Sequence, residues 1–264
     1  MSDDGRLDVS SPISPLVDDE TFDQQLTHYE RERSRQYWTP VAVAARVAAA
    51  FSGHGAKKIL DVGCGPGKFC VVAGSLQRDL ELHGIEQRPR LVRLGLGLVR
   101  RFGAPNVRLS TGDATLVPWD EYDGLYFFNP FAENTYERDD RFDNEVTFST
   151  MRFGAELLRA ESLLARARLG TVLVTYHGLG GAIPSSYELV ADERAGTDRV
   201  RTWVQRSQQQ SSWAWLETQG SVERVSRRQM RSVLASLICG DSSGDPALLE
   251  ELPRWESDGR RSSN

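Results

Sequence analysis

The sequence predicts an α/β fold: a doubly wound, mostly parallel sheet of seven strands that ends in a C-terminal antiparallel hairpin. Three observations predict it. Apolar, strand-like segments alternate with helical segments between residues 57 and 176; the first strand runs directly into a glycine-rich turn; and two strand-like segments joined by Gln and Ser follow residue 198. Strand–helix alternation is typical of parallel sheets with right-handed crossovers, whereas two successive strands indicate a hairpin.

The elements follow one another in chain order. The charged segment 18–35 is predicted to be helical, and Thr39 and Pro40 are predicted to be the N-cap and the first residue of an alanine-rich helix. The parallel strands are expected at residues 57–62, 80–86, 107–110, 122–128 and 170–176, the helices between them at 69–76, 88–102 and 146–167, and the closing hairpin at 199–206 and 212–218.

Composition excludes several classes of protein. The chain has 264 residues, six tryptophans and a net charge of −5, so it can bury a sizeable core and lacks the basic character of most nucleic-acid-binding proteins. No apolar run reaches the roughly 18 residues of a membrane-spanning helix, and the acidic N-terminus has no apolar signal region. The cysteines (Cys64, Cys70 and Cys239) are too scattered for a disulfide framework or a metal cluster. We therefore expect a cytoplasmic protein with no membrane partner and no metal.

Four regions are expected along the chain. Residues 1–17 are rich in Ser, Pro and Asp and lack hydrophobic periodicity, which predicts disorder. Residues 18–54 form N-terminal helices, residues 55–239 form the main domain, and residues 240–264 form a loose tail. Residues 222–237 predict an amphipathic helix with four arginines, which either contact phosphate or, as is usual for a charged helix face, meet solvent.

The most informative stretch is residues 59–67, with the sequence ILDVGCGPG. A buried strand ends in Asp61 and opens into glycines at positions 63, 65 and 67, which can adopt positive φ and allow a ligand close to the backbone. A dinucleotide fingerprint would place its third glycine one position later, and a phosphate-binding loop would need Ser or Thr after Lys68, where Phe69 stands. An ordinary glycine turn is the remaining alternative.

This loop resembles the cofactor loop of the class I S-adenosylmethionine-dependent methyltransferases, whose pattern is acid-x-Gly-x-Gly-x-Gly. The resemblance implies a Rossmann-like sheet, S-adenosyl-L-methionine as the cofactor, and N-terminal helices at residues 18–54 that cover the cofactor site. It also implies that Gly63, Gly65 and Gly67 contact the methionine and ribose portion of the cofactor, with Asp61 ordering the loop beneath.

Two further acids follow the next predicted strands, where ligands bind in open α/β sheets. Glu86, with Gln87 beside it, is placed to accept hydrogen bonds from both ribose hydroxyls. Asp113 and Ala114, after Gly112, resemble the family's adenine-binding Gly-Asp-Ala/Ser segment. Taken singly, Asp61 could be a turn residue, Glu86 a surface acid and Asp113 a helix N-cap.

The fourth strand ends in residues 127–131, FFNPF, which resemble the Asn/Asp-Pro-Pro-Tyr/Phe signature of methyltransferases that modify planar amines. The resemblance implies that the Asn129 side-chain carbonyl and the Pro130 backbone carbonyl accept hydrogen bonds from an NH₂ group and align it with the methyl. One proline is missing, so Phe131 comes one place early and Ala132 stands where the aromatic residue would be. The alternative is a strand end capped by Asn-Pro, with Phe131 in the core.

Two more segments belong to the same interpretation. Residues 37–40, YWTP, resemble the Tyr/Phe-x-Thr-Pro segment that closes over the methionine end of the cofactor in amino-methylating DNA methyltransferases, which assigns Tyr37 and Thr39 to the cofactor site. His177, after the fifth strand, is expected at the same rim as Asn129 and is a candidate proton acceptor, with Glu133 as a second. Thr-Pro could also be a plain helix start, and His177 a solvent-facing loop residue.

Together these interpretations predict a methyltransferase that uses S-adenosyl-L-methionine to methylate a nitrogen of a small-molecule or protein acceptor. The alternatives are a nucleic-acid adenine-N6 methyltransferase and a non-catalytic subunit that binds the same cofactor. A nucleic-acid acceptor is not favoured, because the chain is acidic and no separate target-recognition domain is apparent. No motif indicates the acceptor itself or the oligomeric state.

Overall fold

A computed structural model describes residues 18–207. The strands are β1 (Lys58–Val62), β2 (Glu81–Glu86), β3 (Val107–Thr111), β4 (Gly124–Phe128), β5 (Val172–Tyr176), β6 (Tyr187–Ala195) and β7 (Asp198–Gln205). The α-helices are α1 (Asp19–Asp23), α2 (His28–Tyr37), α3 (Val41–Gly53), α4 (Lys68–Leu76), α5 (Pro89–Arg101) and α6 (Thr150–Arg166). Short 3₁₀ turns at Ala114–Leu116, Trp119–Glu121, Ala132–Thr135 and Arg138–Asp140 lie between α5 and α6.

The seven strands form one sheet in the order β3-β2-β1-β4-β5-β7-β6. Strands β1 to β5 are parallel, and β7 runs antiparallel to both β5 and β6. This confirms the predicted fold class, a doubly wound Rossmann-like sheet of seven strands with a C-terminal hairpin. The strand order reverses where β1 pairs with β4, so the chain leaves these two central strands towards opposite edges of the sheet. Such a switch point creates the crevice in which open α/β sheets bind ligands.

Both faces of the sheet are covered, as β4 shows. Successive side chains of a strand point to opposite faces. Tyr126 packs against Phe69 of α4 with ring centroids 4.3 Å apart, whereas the next residue, Phe127, packs against Trp119 at 5.3 Å. All four rings are buried. The sheet is therefore a buried central layer, and only its strand ends are open to a ligand.

One of the two strands that form the closing hairpin differs from the prediction. Strand β7 was expected at residues 199–206, but its partner is β6, which precedes it, and the expected partner at 212–218 lies outside the described residues. Strand β6 is the edge of the sheet, and only its terminal residues, Tyr187 and Ala195, are buried. Its charged middle lacks the apolar alternation that marks a half-buried strand, so the pattern did not indicate it.

The start of α3 also corrects a prediction. Thr39 is not the N-cap: Pro40 occupies that position, and the Asp19 carboxylate, from α1, accepts from the Val41 N–H at 3.1 Å. The Thr39 hydroxyl is buried and lies 2.8 Å from the buried hydroxyl of Tyr126, a partner that only the folded sheet provides. A buried hydroxyl such as that of Tyr126 needs a hydrogen-bond partner, and Thr39 supplies it instead of capping the helix.

The N-terminal helices are fastened to the main domain through Lys68, at the first position of α4. Its side chain is 1% exposed, and its ammonium donates to Asp19, Asp23 and Ser34 at 2.6–3.1 Å. A buried ammonium needs such partners, because burying an unpaired charge is very costly. The glycine-rich turn just before α4 is thereby tied to α1 and α2.

Several predictions fall outside the described residues: disorder at 1–17, the amphipathic helix at 222–237 and the tail at 240–264. Within residues 18–207, no helix is both long and apolar enough to cross a membrane.

Candidate active site

A cleft of about 350 Å³ opens at the carboxyl ends of β1, β2, β4 and β5, around the switch point of the sheet. This volume lies within the range of about 300–1,000 Å³ that is usual for small-molecule sites. One wall, which we call the strand-end wall, consists of residues 63–65, 86–88, 128–130 and 177. Two segments face this wall: residues 35–38, at the end of α2, and residues 132–148, which we call the 132–148 segment. Together they contribute Arg35, Gln36, Tyr37, Trp38, Ala132, Glu133, Asn134, Tyr136, Phe142 and Phe148.

The glycine-rich turn forms the floor of the cleft. Gly63 and Gly65 have φ values of +72° and +56°, in the left-handed region that favours glycine. A Cβ atom on Gly65 would lie 2.7 Å from Nε1 of Trp38, and one on Gly63 would lie 3.3 Å from Cβ of Pro130. The turn therefore requires glycine at Gly65 for two reasons, its backbone conformation and the close approach of Trp38.

Glu86, at the end of β2, is held by backbone donors of two different elements. One carboxylate oxygen accepts from the Gly65 N–H at 3.1 Å, and the other accepts from the Arg88 N–H at 3.0 Å. The side chain is almost fully buried, and burial raises the pKa of Glu86, an effect that Arg88 and the two backbone donors oppose. The structure thus joins the glycine-rich turn directly to the acid of the neighbouring strand end.

Asp61 lies beneath the turn and does not line the cleft. It is fully buried, and desolvation raises its pKa to about 7; the Cys70 thiol, which donates at 3.4 Å, opposes this rise, and the charge of Glu86 adds to it. Burial also raises the pKa values of the Cys64 and Cys70 thiols well above their usual range. Both thiols are therefore protonated and unreactive at neutral pH.

Asn129 and Pro130 line the cleft beside the turn, at the end of β4. Asn129 has a φ of +43°, its N–H donates to the Gly178 carbonyl at 3.1 Å, and its own carbonyl accepts from the Ala132 N–H at 3.2 Å. Phe131 is buried and does not line the cleft. The Asn-Pro-Phe segment thus supplies no aromatic wall, and the aromatic rings of the cleft come from elsewhere in the chain.

His177, at the end of β5, is the second non-glycine residue with positive φ among residues 18–207, at +58°. Its Nδ1 lies 3.1 Å from a carboxylate oxygen of Asp198, and its Nε2 lies 3.4 Å from the Thr197 hydroxyl. A carboxylate can only accept, so Nδ1 carries a hydrogen. Left-handed non-glycine residues cluster at functional sites, and here Asn129 and His177 end adjacent strands.

The segment before α3 contributes differently from its prediction. Tyr37 lines the cleft, and its hydroxyl donates to the backbone carbonyl of Asp140. Thr39 is buried against Tyr126 and does not line the cleft. The residue between them, Trp38, is the one that lies against Gly65, and the sequence analysis assigned it no role.

Of the remaining predicted residues, one lines the cleft and two do not. Gln87 lines the cleft, and its side-chain carbonyl accepts from Arg152. Asp113 and Ala114 do not line it: the Asp113 carboxylate caps the following 3₁₀ turn, accepting from the N–H and the hydroxyl of Thr115 at 2.8 and 2.7 Å. Their contact with adenine stays a prediction.

The sequence analysis missed the ionic cluster between the two walls. Arg88 is buried, and its guanidinium donates to both oxygens of Glu133 at 2.7 and 2.8 Å and to Asp143 at 2.9 Å. Glu133 therefore serves as an ion-pair partner in this structure. The sequence signal that could have indicated this cluster is the number of acidic residues between 133 and 144. Acidic side chains that pack against the domain need a cation nearby.

The donor set of the cleft fits a nucleoside cofactor with hydroxyls and a planar base. It offers a buried carboxylate, backbone at the glycine-rich turn, amide groups at Gln87 and Asn129, and the aromatic rings of Tyr37, Trp38, Phe128, Tyr136, Phe142 and Phe148. Within residues 18–207, no group of three or more His, Cys, Asp or Glu side chains is placed to hold a metal ion.

Comparison with known proteins gives likeness of structure. No family model and no curated protein sequence matches the chain. An RNA methyltransferase from Salinibacter ruber, in complex with S-adenosyl-L-homocysteine, is 18% identical with a TM-score of 0.44, covering 65% of this chain and 94% of its own. A putative O-methyltransferase from Klebsiella pneumoniae is 14% identical (TM-score 0.48, 73% and 92%), and a methyltransferase from Geobacter sulfurreducens is 11% identical (TM-score 0.49, 73% and 93%). Likeness at this level does not carry a function across, so the function is inferred from the strand order and the site.

Proposed function

We propose that the protein is an S-adenosyl-L-methionine-dependent methyltransferase. The observation that carries the proposal is the hydrogen bond from the Gly65 N–H to the Glu86 carboxylate at the switch point of the sheet. It joins the two groups that a nucleoside cofactor needs there, a backbone that it can approach closely and an acceptor for its ribose hydroxyls.

The cleft residues have separable tasks in this proposal. When bound, the cofactor supplies an electrophilic methyl group on a sulfonium. Glu86 would accept hydrogen bonds from the ribose hydroxyls while its other contacts hold the carboxylate in place, and the backbone of the glycine-rich turn would contact the ribose and methionine portion. Trp38, which lies against Gly65 and lines the cleft, would border that portion.

We propose a nitrogen acceptor, in a small molecule or a protein. Asn129 lines the cleft with a left-handed backbone, which two backbone hydrogen bonds fix in place. Its side-chain carbonyl, with the Pro130 carbonyl, would accept from an NH₂ group and align the lone pair for in-line transfer. This arrangement contributes positioning, which is the main requirement of methyl transfer between two bound molecules.

His177 would take the proton that the acceptor loses. His177 lines the same cleft as Asn129, and Asp198 fixes the tautomer through Nδ1. A carboxylate that orients a histidine in this way also stabilises the imidazolium that forms after proton transfer.

The test is transfer of labelled methyl groups from S-adenosyl-L-methionine, by the full chain, into fractionated cell extract. We expect label in small molecules or protein, and Asn129→Ala should reduce its rate of incorporation by about 100-fold. Label in nucleic acid, together with salt-dependent binding of an oligonucleotide, would replace the proposed acceptor class. Cofactor binding without label in any fraction would support a non-catalytic subunit instead.

A further inference from the structure

Arg88 and Arg90 each pair with three carboxylates, and of the two only Arg88 is buried. The guanidinium side chain of Arg88 is 7% exposed and contacts three carboxylates: Glu133 at 2.7 Å, Asp143 at 2.9 Å and Glu86 at 3.4 Å. The rings of Phe142 and Phe148 flank it, each 5.5 Å from the guanidinium carbon. A buried fork with this many acceptors has a single well-defined position.

The three carboxylates come from two different parts of the cleft. Glu86 ends β2, whereas Glu133 and Asp143 belong to the 132–148 segment, where Glu133 also accepts from the Phe142 N–H at 2.8 Å. Arg88 is therefore a bridge between the carboxylate proposed for the ribose and the segment that faces the strand-end wall.

The charges around Glu86 explain why the residue that joins Glu86 to the 132–148 segment is a cation. An ionised carboxylate accepts at both of its oxygens, whereas protonation puts a donor on one of them. Burial raises the pKa of Glu86, and the charge of Glu133 raises it further, while Arg88 opposes both. The other titratable groups that face Glu86 are Asp61 and Cys64, from the end of β1 and its turn, and neither is a cation.

We propose that Arg88 is a positioning residue, which keeps Glu86 charged and oriented for the cofactor and makes cofactor affinity depend on the 132–148 segment. The inference rests on the proposed function, because it assumes that Glu86 meets the ribose. It predicts that changes in a segment distant from the glycine-rich turn alter the binding of the cofactor.

The test is calorimetric binding of S-adenosyl-L-homocysteine to the full chain and to Arg88→Met. Removal of the cation should weaken binding by about tenfold or more, because the buried carboxylate loses the charge that offsets its desolvation. The affinity of Arg88→Met should rise with pH, as Glu86 ionises, while that of the unaltered chain changes much less.

Arg90→Met is the matched control. Arg90 lies in α5, two positions after Arg88, and also binds Asp143, together with Glu30 and Glu145, but it does not line the cleft and has no recorded ion pair with Glu86. We expect its affinity to stay within about twofold of the unaltered chain, with no added pH dependence. Equal losses in Arg88→Met and Arg90→Met would overturn the proposal in favour of a general effect on the 132–148 segment.

Two further variants keep the proposal testable if Arg88→Met does not fold. Arg88→Lys keeps the charge without the fork, so binding should weaken while the pH dependence stays that of the unaltered chain. Asp143→Asn, at a residue that does not line the cleft, should weaken binding by about threefold to tenfold. Unchanged affinity in both variants overturns the role of Arg88.

The failure of the two proposals can be told apart. If the unaltered chain does not bind S-adenosyl-L-homocysteine, the proposed function is wrong. If it binds, and Arg88→Met binds equally well with the same pH dependence, only the role of Arg88 is wrong.

Discussion

The strand-end wall and the 132–148 segment enclose the same cleft but are built by different means. Residues of the strand-end wall follow strands whose register is set by backbone hydrogen bonds, and the turn is further fixed by the Gly65–Glu86 contact. The 132–148 segment contains only two short 3₁₀ turns and is attached through ion pairs to Arg88 and Arg90 and through the Tyr29–Phe142 and Tyr37–Phe142 ring contacts.

The two walls therefore differ in how their side chains are held in position. The sheet fixes the strand-end wall, so its groups can be positioned to a fraction of an ångström for the transfer itself. The 132–148 segment is held by side chains, and a segment of this kind can change sequence without changing the sheet. We infer that the strand-end wall makes the contacts to the cofactor, and that the 132–148 segment adjusts them through its ion pairs with Arg88.

The largest effect is expected on the strand-end wall, at Asn129. Asn129→Ala should lower kcat by about 100-fold, because the acceptor nitrogen loses its alignment, while the Kd of the cofactor changes by less than about twofold. Rates of labelled methyl transfer and calorimetric affinities measure the two quantities.

Asn129→Gly separates the side chain from the backbone at this position. Glycine tolerates the φ of +43°, so a loss of kcat in both variants assigns the effect to the missing amide. Recovery of transfer in Asn129→Gly would show that only the backbone matters, contrary to the account.

The next effect concerns the floor of the cleft. Gly65→Ala should weaken cofactor binding by about tenfold or more, because the new Cβ displaces Trp38 and strains the turn. Gly103→Ala is the matched control, since Gly103 has nearly the same φ (+58° against +56°) but has open space around it. Equal affinity of the two variants in calorimetry would contradict a close approach at Gly65.

A smaller effect is expected at Asp198, which touches the cleft only through His177. Asp198→Asn should lower kcat by about tenfold with little change in cofactor affinity, since the histidine loses its fixed tautomer. Asp192→Asn, in the same hairpin but paired with Arg199 and Arg201, should leave kcat unchanged. A fall of kcat in both variants would indicate that the hairpin is merely distorted.

The smallest effect is on stability, through Asp61. Its folded pKa of about 7 lies above the ordinary value of 3.8, so the folded state binds the proton more tightly and stability falls as pH rises between these values. Asp61→Asn removes this loss and should raise Tm above that of the unaltered chain by about 3 °C or more at pH 8, with a much smaller difference near pH 4. Thermal denaturation at the two pH values measures it, and a pH-independent difference would exclude a buried, titrating Asp61.

The strand-end wall was largely predictable from the sequence, and the reason is local. The strand-end positions of Asp61, Glu86 and Asn129 follow from hydrophobic runs and breaks, and parallel strands bring their carboxyl ends together. The edge strand β6 was missed because its middle residues are charged, and the hydroxyl of Thr39 has a partner that is distant in sequence.

The 132–148 segment was not predictable in the same way. Arg88, Glu133 and Asp143 form pairs across 45 and 55 positions of the chain, and no periodicity encodes such pairs. The acidity of residues 133–144 indicated a polar surface, and only the fold supplies the buried cation that explains it. The contact between Trp38 and Gly65 was likewise not predictable from the sequence.

The central claim is that the strand-end wall binds S-adenosyl-L-methionine through Glu86 and the glycine-rich turn. Its most direct test is calorimetric titration of the full chain and of Glu86→Gln with the cofactor. The account predicts one site per chain, with binding weakened by about tenfold or more in Glu86→Gln, because a neutral amide replaces the charged acceptor. Absence of binding to the unaltered chain, or equal affinity of the two proteins, would contradict it.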